Sequence, residues 1–215
     1  MILLSNGCSW TYGSGLDEGI REESVYSALI ARTLNRKLVN LSKGCGSNQR
    51  ILRTTFEWIS KQNKSIWDNT LAIIQWTDES RYEYYVPNLK KDYTDNWARV
   101  KVDVVLSPNE LDYIDKATER ANFRLETFTH QEAAYHMLTY SSAMAYIFKS
   151  YGIKYYFWSH IFNFNYFNRK VNDFMQKNQS WIKVLGEYDR IGNHDPHPSV
   201  TGHKEIAEQI LNFVK

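Results

Sequence analysis

Strand-like segments alternate with helix-like segments over the first 76 residues. Short apolar runs occupy residues 1–4, 37–41 and 70–76, and segments with apolar residues at helical spacing, 23–34 and about 47–64, lie between them. Strands joined by helices in this order form parallel sheets with right-handed crossovers and helices on both faces. The alternation therefore predicts an α/β fold built around a parallel sheet.

The alternation is interrupted after the third strand. Residues 78–130 are predicted to form an insertion over the carboxyl edge of the sheet. Residues 78–105 are polar and aromatic, which predicts a short hairpin there, and residues 111–130 are polar and predicted to be helical in part. A helix at 131–149, a strand at 153–158 and a last helix ending at Val214 follow, so we expect one domain over residues 1–215. The apolar spacing assigns Ile51, Leu52, Phe56 and Ile59 to the buried face of the second helix, and Ile206, Ile210 and Phe213 to that of the last.

Composition excludes several classes of function. The formal net charge is +2, with both signs mixed along the chain, which argues against a nucleic-acid-binding protein that depends on charge. No apolar run is long enough for a membrane span, and the short apolar start lacks the basic segment of a signal peptide. Cys8 and Cys45 are the two cysteines, too few for a disulfide scaffold, so a reducing compartment is the simpler expectation.

A serine stands on the turn that leaves the first strand. Ser9 follows Gly7 and Cys8, and the carboxyl ends of parallel strands are where open sheets bind their ligands. Near the other end of the chain, Asp195 and His197 lie just before the last helix, and His197 is flanked by two prolines. A serine nucleophile needs an adjacent base and a third group that orients the base. These three residues supply the side chains of a Ser-His-Asp triad.

Neither a metal site nor a phosphate loop fits this sequence. Asp195, His197 and His203 form a loose set of metal-ligating residue types, but no second cluster accompanies them. The glycines that follow Ser9 lack the Lys-Ser/Thr pair of a phosphate loop. We therefore expect neither a metal nor a cofactor.

Three short blocks resemble the SGNH (GDSL-type) hydrolase superfamily, in the variant whose first block reads Gly-Cys-Ser-aromatic-Thr-Tyr-Gly. The blocks are residues 7–13, residues 40–48, and Asp195-Pro-His-Pro with Gly202-His203 after it. The resemblance implies a three-layer α/β/α sandwich with a flavodoxin-like sheet, and ester hydrolysis without a metal or cofactor. It also implies a phage or bacterial polysaccharide setting. Together with the charge and apolar patterns described above, this leads us to expect a cytoplasmic or virion-associated protein with no nucleic-acid or membrane partner.

The same resemblance implies roles for individual residues. Ser9 would attack the ester carbonyl, His197 would carry the proton, and Asp195 would orient His197. The oxyanion would be held by the backbone N–H of Ser9 and by one in the loop of Gly44, Cys45 and Gly46. The family's third-block Asn is absent after the third strand, where Thr77 or the amide of Asn48 could donate the missing hydrogen bond. The acid also stands two residues before the histidine, whereas the common spacing is three.

Three functions remain open at this point. The first is a serine esterase acting on a carbohydrate O-acyl group or another small ester. The second is a catalytically silent domain of the same fold that binds a glycan or a protein through its aromatic insertion. The third uses Cys8 and Cys45 as a redox pair, or Cys8 as the nucleophile.

Overall fold

A computed structural model of the chain describes residues 1–77, 81–85, 97–101, 130–159, 181–182, 188–192 and 195–214. The strands are β1 (Ile2–Asn6), β2 (Lys37–Asn40), β3 (Thr70–Gln75), β4 (Arg81–Tyr85), β5 (Trp97–Lys101), β6 (Lys154–Trp158), β7 (Trp181–Ile182), β8 (Arg190–Gly192) and β9 (Asp195–Pro198). The helices are α1 (Ser9–Tyr12), α2 (Glu18–Ser24), α3 (Tyr26–Thr33), α4 (Asn48–Ser60), α5 (Lys64–Trp67), α6 (His130–Ser150) and α7 (Val200–Val214). Helices lie between the strands from β1 to β3, and among the described residues further strands follow β3 and β6.

The main sheet is parallel and has the strand order β2-β1-β3-β6-β7. Leu4 of β1 lies opposite Val39 on one side and Ala72 on the other, so β1 is a central strand. This order is the flavodoxin-like one, which reverses beside the first strand. The prediction of a parallel α/β sheet is confirmed. The edge strand β7 was not predicted, since two residues are too few for a periodic pattern.

Helices cover both faces of this sheet. Leu3 and Ile73 pack against side chains of α3 and α7, whereas Leu4 and Ile74 pack against side chains of α4 and α6. Successive strand residues point to opposite faces of the sheet. The apolar residues 71–74 of β3 therefore contribute side chains to the hydrophobic cores on both faces. The three-layer α/β/α architecture is thereby confirmed. No helix among the described residues is both long and apolar enough to cross a bilayer.

Three details differ from the sequence prediction. The predicted helix 23–34 is two helices, because Val25 adopts an extended conformation (φ −65°, ψ 145°) between α2 and α3. Phe56 is 45% exposed and Phe213 is 53% exposed, so both predicted inward positions are wrong. Thr55 and Val214 are buried instead. They continue stripes that start at Ile51 and at Ile206 and recur every three or four residues, so the sheet contacts a narrower stripe than the apolar pattern suggested.

Strands β4 and β5 form an antiparallel hairpin within the predicted insertion. The hairpin is held on α4 by Glu83, whose carboxylate binds Arg53 Nε at 2.8 Å and Nη2 at 3.0 Å. The backbone N–H of Glu83 also donates to the side chain of Gln49. The predicted hairpin is confirmed, whereas the remainder of 78–130 lies outside the described residues.

Candidate active site

The turn after β1 places Ser9 as the first residue of α1. Cys8 precedes it in an extended conformation (φ −96°, ψ −154°) and serves as the N-cap residue. The first N–H groups of any helix have no partner within the helix. The backbone N–H of Ser9 donates to no group among the described residues.

The Ser9 hydroxyl is directed towards its own neighbour. Ser9 Oγ donates to Cys8 Sγ over 3.9 Å, and Cys8 Sγ in turn donates to Gln75 Oε1 over 3.6 Å. No hydrogen bond joins Ser9 to His197 within the described structure. Cys8 is fully buried, whereas Cys45 is exposed, and both are free thiols.

The glycine loop that precedes α4 lies against the serine turn. A Cβ atom added to Gly46 would sit 3.1 Å from the carbonyl oxygen of Gly7, and one added to Gly44 would sit 3.5 Å from Ser14 Oγ. Between them Cys45 is in the left-handed region with φ 57°. The Gly46 N–H closes the turn by donating to Lys43 O at 3.1 Å, whereas the Cys45 N–H donates to no described group. Two of the predicted blocks therefore meet at one end of the sheet.

His197 and Asp195 form a hydrogen-bonded pair on β9. His197 Nδ1 lies 2.6 Å from Asp195 Oδ1, and the His197 backbone N–H donates to the same oxygen at 2.9 Å. That backbone hydrogen bond, followed by the one from the ring, holds the pKa of Asp195 below its usual range. An ionised Asp195 can only accept, so the Nδ1 atom of His197 carries the proton and Nε2 is left as the base.

Strand β9 brings this pair to the helix of the serine. Helix α1 and β9 are in contact. The ring of Trp10 packs edge-on against Tyr188 with centroids 4.8 Å apart, and a Cβ atom on Gly15 would sit 3.3 Å from Asp195 Oδ2. Segments from near the two ends of the chain therefore meet at α1, the helix that begins with Ser9. The α1–β9 contact and the Asp195–His197 pair are the features on which a catalytic interpretation depends.

Asn48 and Thr77 join the start of α4 to the end of β3. The Thr77 N–H donates to Asn48 Oδ1 at 2.8 Å, and Asn48 Nδ2 donates to Thr77 O at 3.0 Å. Both residues are buried. The pair uses one of the two N–H groups of the Asn48 amide, while Thr77 Oγ1 is buried with no hydrogen-bond partner among the described residues. Of the two predicted donors, the Thr77 hydroxyl is the one without an assigned bond.

His203 is buried in the layer behind the site. Its Nδ1 accepts from the Tyr26 N–H at 3.3 Å, and its Nε2 has no hydrogen-bond partner among the described residues. Burial, with a smaller contribution from the charge of His197, lowers the pKa of His203 to about 4. A neutral, buried imidazole packed on Tyr26 is a structural histidine.

Sequence reasoning did not single out Gln75 and Thr11, which the structure places directly behind the serine turn. Thr11 Oγ1 donates to Gln75 Oε1 at 2.5 Å, and both side chains are fully buried. The available signal was a glutamine at the end of an otherwise apolar strand, because a buried polar side chain has to find a partner. Within the described ranges, no group of three or more His, Cys, Asp or Glu side chains is arranged to hold a metal ion.

Known structures share the fold of this chain. TesA is 14% identical, with a TM-score of 0.58, over 100% of this chain and 98% of that one. A G-D-S-L family protein from Desulfitobacterium hafniense DCB-2 is 11% identical, with a TM-score of 0.57, over 99% and 98%. The psychrotrophic esterase EstA from Pseudoalteromonas sp. is 13% identical, with a TM-score of 0.54, over 99% and 96%. These matches confirm the expected SGNH-type fold.

Sequence comparison assigns the chain to a family. No curated protein matches it. The profile described as "Family of unknown function (DUF6071)" matches residues 11–202, which include the glycine loop, the Asp195–His197 pair and the start of the last helix. This match covers most of the chain, and the protein belongs to the DUF6071 family.

Proposed function

We propose that the protein is a serine-dependent ester hydrolase in which Ser9 is the nucleophile, His197 the base and Asp195 the residue that orients it. The observation that carries the proposal is the Asp195–His197 hydrogen-bonded pair on a strand that contacts the helix of Ser9. A serine at a strand-to-helix turn, a base, and an acid bound to that base make up the machinery of acyl transfer. The fold shared with EstA, which is named an esterase, supports ester hydrolysis as the reaction class by analogy of fold.

The reaction requires one local rearrangement. The Ser9 hydroxyl donates to Cys8 Sγ, so in the proposed reaction it leaves that hydrogen bond and donates to the Nε2 atom of His197 instead. Nε2 then takes the proton while Oγ bonds to the ester carbonyl carbon. When the tetrahedral intermediate collapses, the imidazolium returns that proton to the leaving alcohol. Water repeats the sequence on the acyl-enzyme and releases the acid.

Backbone amides would stabilise the oxyanion. The N–H groups of Ser9 and Cys45 both lack partners among the described residues, and the loop of Gly44 and Gly46 lies against the serine turn. One oxyanion donor is typically worth roughly 3 kcal/mol in the transition state. The Thr77 hydroxyl, or the second N–H of the Asn48 amide, would serve where the related family uses an Asn.

The proposed substrates are small esters, including O-acyl groups on carbohydrates. The fold neighbour EstA is named an esterase, and its structure was solved inhibited by monoethylphosphonate. A phosphonate reacts with an activated serine without requiring the natural acyl group. It therefore tests the nucleophile independently of substrate identity.

The decisive experiment combines a fluorophosphonate probe with hydrolysis of p-nitrophenyl acetate. We expect the wild type to be labelled at Ser9 and to hydrolyse the ester, and Ser9→Ala and His197→Gln to lose both activities. Ser27→Ala is a matched control because Ser27 is also buried but lies on α3. Labelling that persists in Ser9→Ala would exclude Ser9 as the nucleophile.

A silent binding domain is the second candidate. The hydrogen bond from Ser9 to Cys8, in place of one to His197, favours it. In that case a folded wild type would show neither labelling nor hydrolysis above the rate of Ser9→Ala.

A further inference from the structure

A chain of buried hydrogen bonds runs behind the serine turn. Tyr26 OH lies 2.8 Å from Thr11 Oγ1, which lies 2.5 Å from Gln75 Oε1, and Cys8 Sγ donates to the same Gln75 oxygen over 3.6 Å. Burial raises the pKa of Tyr26 above its usual range, so its hydroxyl stays protonated and donates to Thr11. Thr11 is then free to donate to Gln75. All four side chains are fully buried.

We infer that Gln75 is a positioning residue for the nucleophile: its Oε1 atom accepts hydrogen bonds from Cys8 and Thr11, on either side of Ser9, and thereby sets the orientation of the serine turn. The inference rests on the proposed function, since it assigns a role in the reaction of Ser9. It concerns a residue outside the triad and the oxyanion loop, and Gln75 itself does not contact substrate.

Helix α1 needs such an anchor because it is only four residues long. Isolated helices this short are unstable in water, so tertiary contacts must supply the orientation of the turn. Gln75 is suited to this task because it ends β3, a rigid central strand paired with β1 on one side and β6 on the other. The Gln75 Oε1 atom on that strand accepts hydrogen bonds from Cys8, the residue before Ser9, and from Thr11, two residues after it.

The glycine at position 7 is independent support for this arrangement. A Cβ atom at Gly7 would overlap Thr11 Oγ1 and would sit 2.8 Å from Gln75 Oε1. Gly7 does not have a positive φ, so backbone conformation alone does not require glycine here. The space taken by the Thr11–Gln75 hydrogen bond does require it.

The network also reaches the glycine loop. Asn40 Nδ2 donates to the Thr11 carbonyl at 3.2 Å, and Asn40 Oδ1 accepts from the Ser42 N–H at 3.1 Å. Thr11 therefore joins Gln75 through its side chain and the start of the loop through its backbone. A shift of Thr11 would move both the serine turn and the loop proposed to hold the oxyanion.

The test compares Gln75→Met and Thr11→Val with Thr11→Ser and a control at the far end of β3. Thr70→Val is the control because Thr70 is buried and donates to Ile66 O at 2.7 Å, away from the serine turn. The readouts are the rate of Ser9 labelling by a fluorophosphonate, kcat and KM for p-nitrophenyl acetate, and Tm. Only variants with a wild-type circular dichroism spectrum at the assay temperature are compared.

We expect Gln75→Met and Thr11→Val to lower the labelling rate and kcat by roughly tenfold to 100-fold with little change in KM, because a small misplacement of a nucleophile costs about that much. Thr11→Ser should be labelled at close to the wild-type rate. Thr70→Val should have a lower Tm but an unchanged rate of labelling. If Gln75→Met does not fold, the comparison of the labelling rates of Thr11→Val and Thr11→Ser tests the inference.

Two failures are distinguishable. Wild-type labelling rates in folded Gln75→Met or Thr11→Val would overturn the positioning role and leave the proposed function intact. A wild type that is not labelled at Ser9 would overturn the proposed function and this inference together. If the labelling rate of Thr70→Val fell as much as that of Gln75→Met or Thr11→Val, the slower labelling would be a consequence of lower stability alone. That result would also overturn the inference.

Discussion

Asp195 accepts two hydrogen bonds at a single carboxylate oxygen, both from His197. The imidazole Nδ1 lies 2.6 Å from Oδ1, and the His197 backbone N–H lies 2.9 Å from it. Two residues of separation are enough for this because an aspartate side chain can accept from the backbone N–H two residues further on, and the prolines on either side of His197 restrict the backbone. The pair is therefore formed within β9 itself, from residues two positions apart.

Asp195→Asn tests this unit. An amide at position 195 can still accept the backbone hydrogen bond, but it does not select the required tautomer of His197, and the corresponding change in a serine protease triad lowers kcat roughly 10⁴-fold. We expect a loss of about that size in ester hydrolysis with little change in Tm, because Asp195 is not buried. Asp189→Asn is the control, since Asp189 is exposed and accepts from Ser199 on the same hairpin. An Asp195→Asn variant with more than a tenth of wild-type kcat would contradict the proposed role.

His203 makes stability depend on pH. Its pKa is about 4 in the folded protein, against an ordinary value of 6.5, so the unfolded chain binds a proton first as the pH falls. Stability is complete above pH 6.5 and declines towards pH 4, by about 3 kcal/mol in all at 1.4 kcal/mol per pH unit. Urea unfolding at a series of pH values measures this slope.

The matched variant is His203→Asn, whose side-chain oxygen can accept from the Tyr26 N–H as Nδ1 does. We expect the slope between pH 6.5 and 4 to flatten in this variant. Asp195 affects stability at lower pH than His203 does. Because the pKa of Asp195 is lowered on folding, its contribution to stability is lost only as the pH falls below 3.8, the ordinary pKa of an aspartate. Equal slopes in wild type and variant would show that His203 is not the responsible group.

The two thiols should differ in reactivity. Cys45 is exposed in the loop beside the serine turn, whereas Cys8 is buried against Gln75. We expect one thiol to react with Ellman's reagent in the native protein and two after unfolding, because a buried thiol is not accessible to the reagent. Modification of Cys45 by a bulky maleimide should also block ester hydrolysis, and Cys45→Ser should be insensitive to the maleimide. Two fast thiols, or none, would contradict the structure.

The Arg53–Glu83 pair should be the main electrostatic anchor of the hairpin. The Glu83 side chain is 2% exposed, so Arg53→Met would leave a buried carboxylate without its cation, at a cost of about 3 kcal/mol in the free energy of unfolding. The double variant Arg53→Met/Glu83→Gln should recover part of that loss. Lys64→Met removes one partner of the exposed Lys64–Asp68 pair and should cost less than about 1 kcal/mol. Similar costs for both pairs in urea unfolding would contradict this assignment.

Sequence patterns predicted the parallel sheet and its covering helices because each strand and helix is specified by its own apolar residues. They were less successful with the faces of helices. Phe56 and Phe213 continue the apolar pattern but are exposed, since the width of the buried stripe depends on what the neighbouring layer offers. The break at Val25 and the strand β7 were missed for a similar reason, as neither has a local periodic signal.

By itself the sequence determined the order of the first three parallel strands and of the helical segments between them, and hence which of their loops lie at the carboxyl edge of the sheet, because parallel crossovers leave few alternatives. It also placed Asp195 within reach of His197, two residues away. Only the tertiary structure decided that Gln75 and Thr11, 64 residues apart, meet behind Ser9. The physical reason is that a hydrogen bond between residues so far apart in the sequence depends on how β1 packs beside β3. Such a bond produces no periodic pattern of apolar residues in either segment.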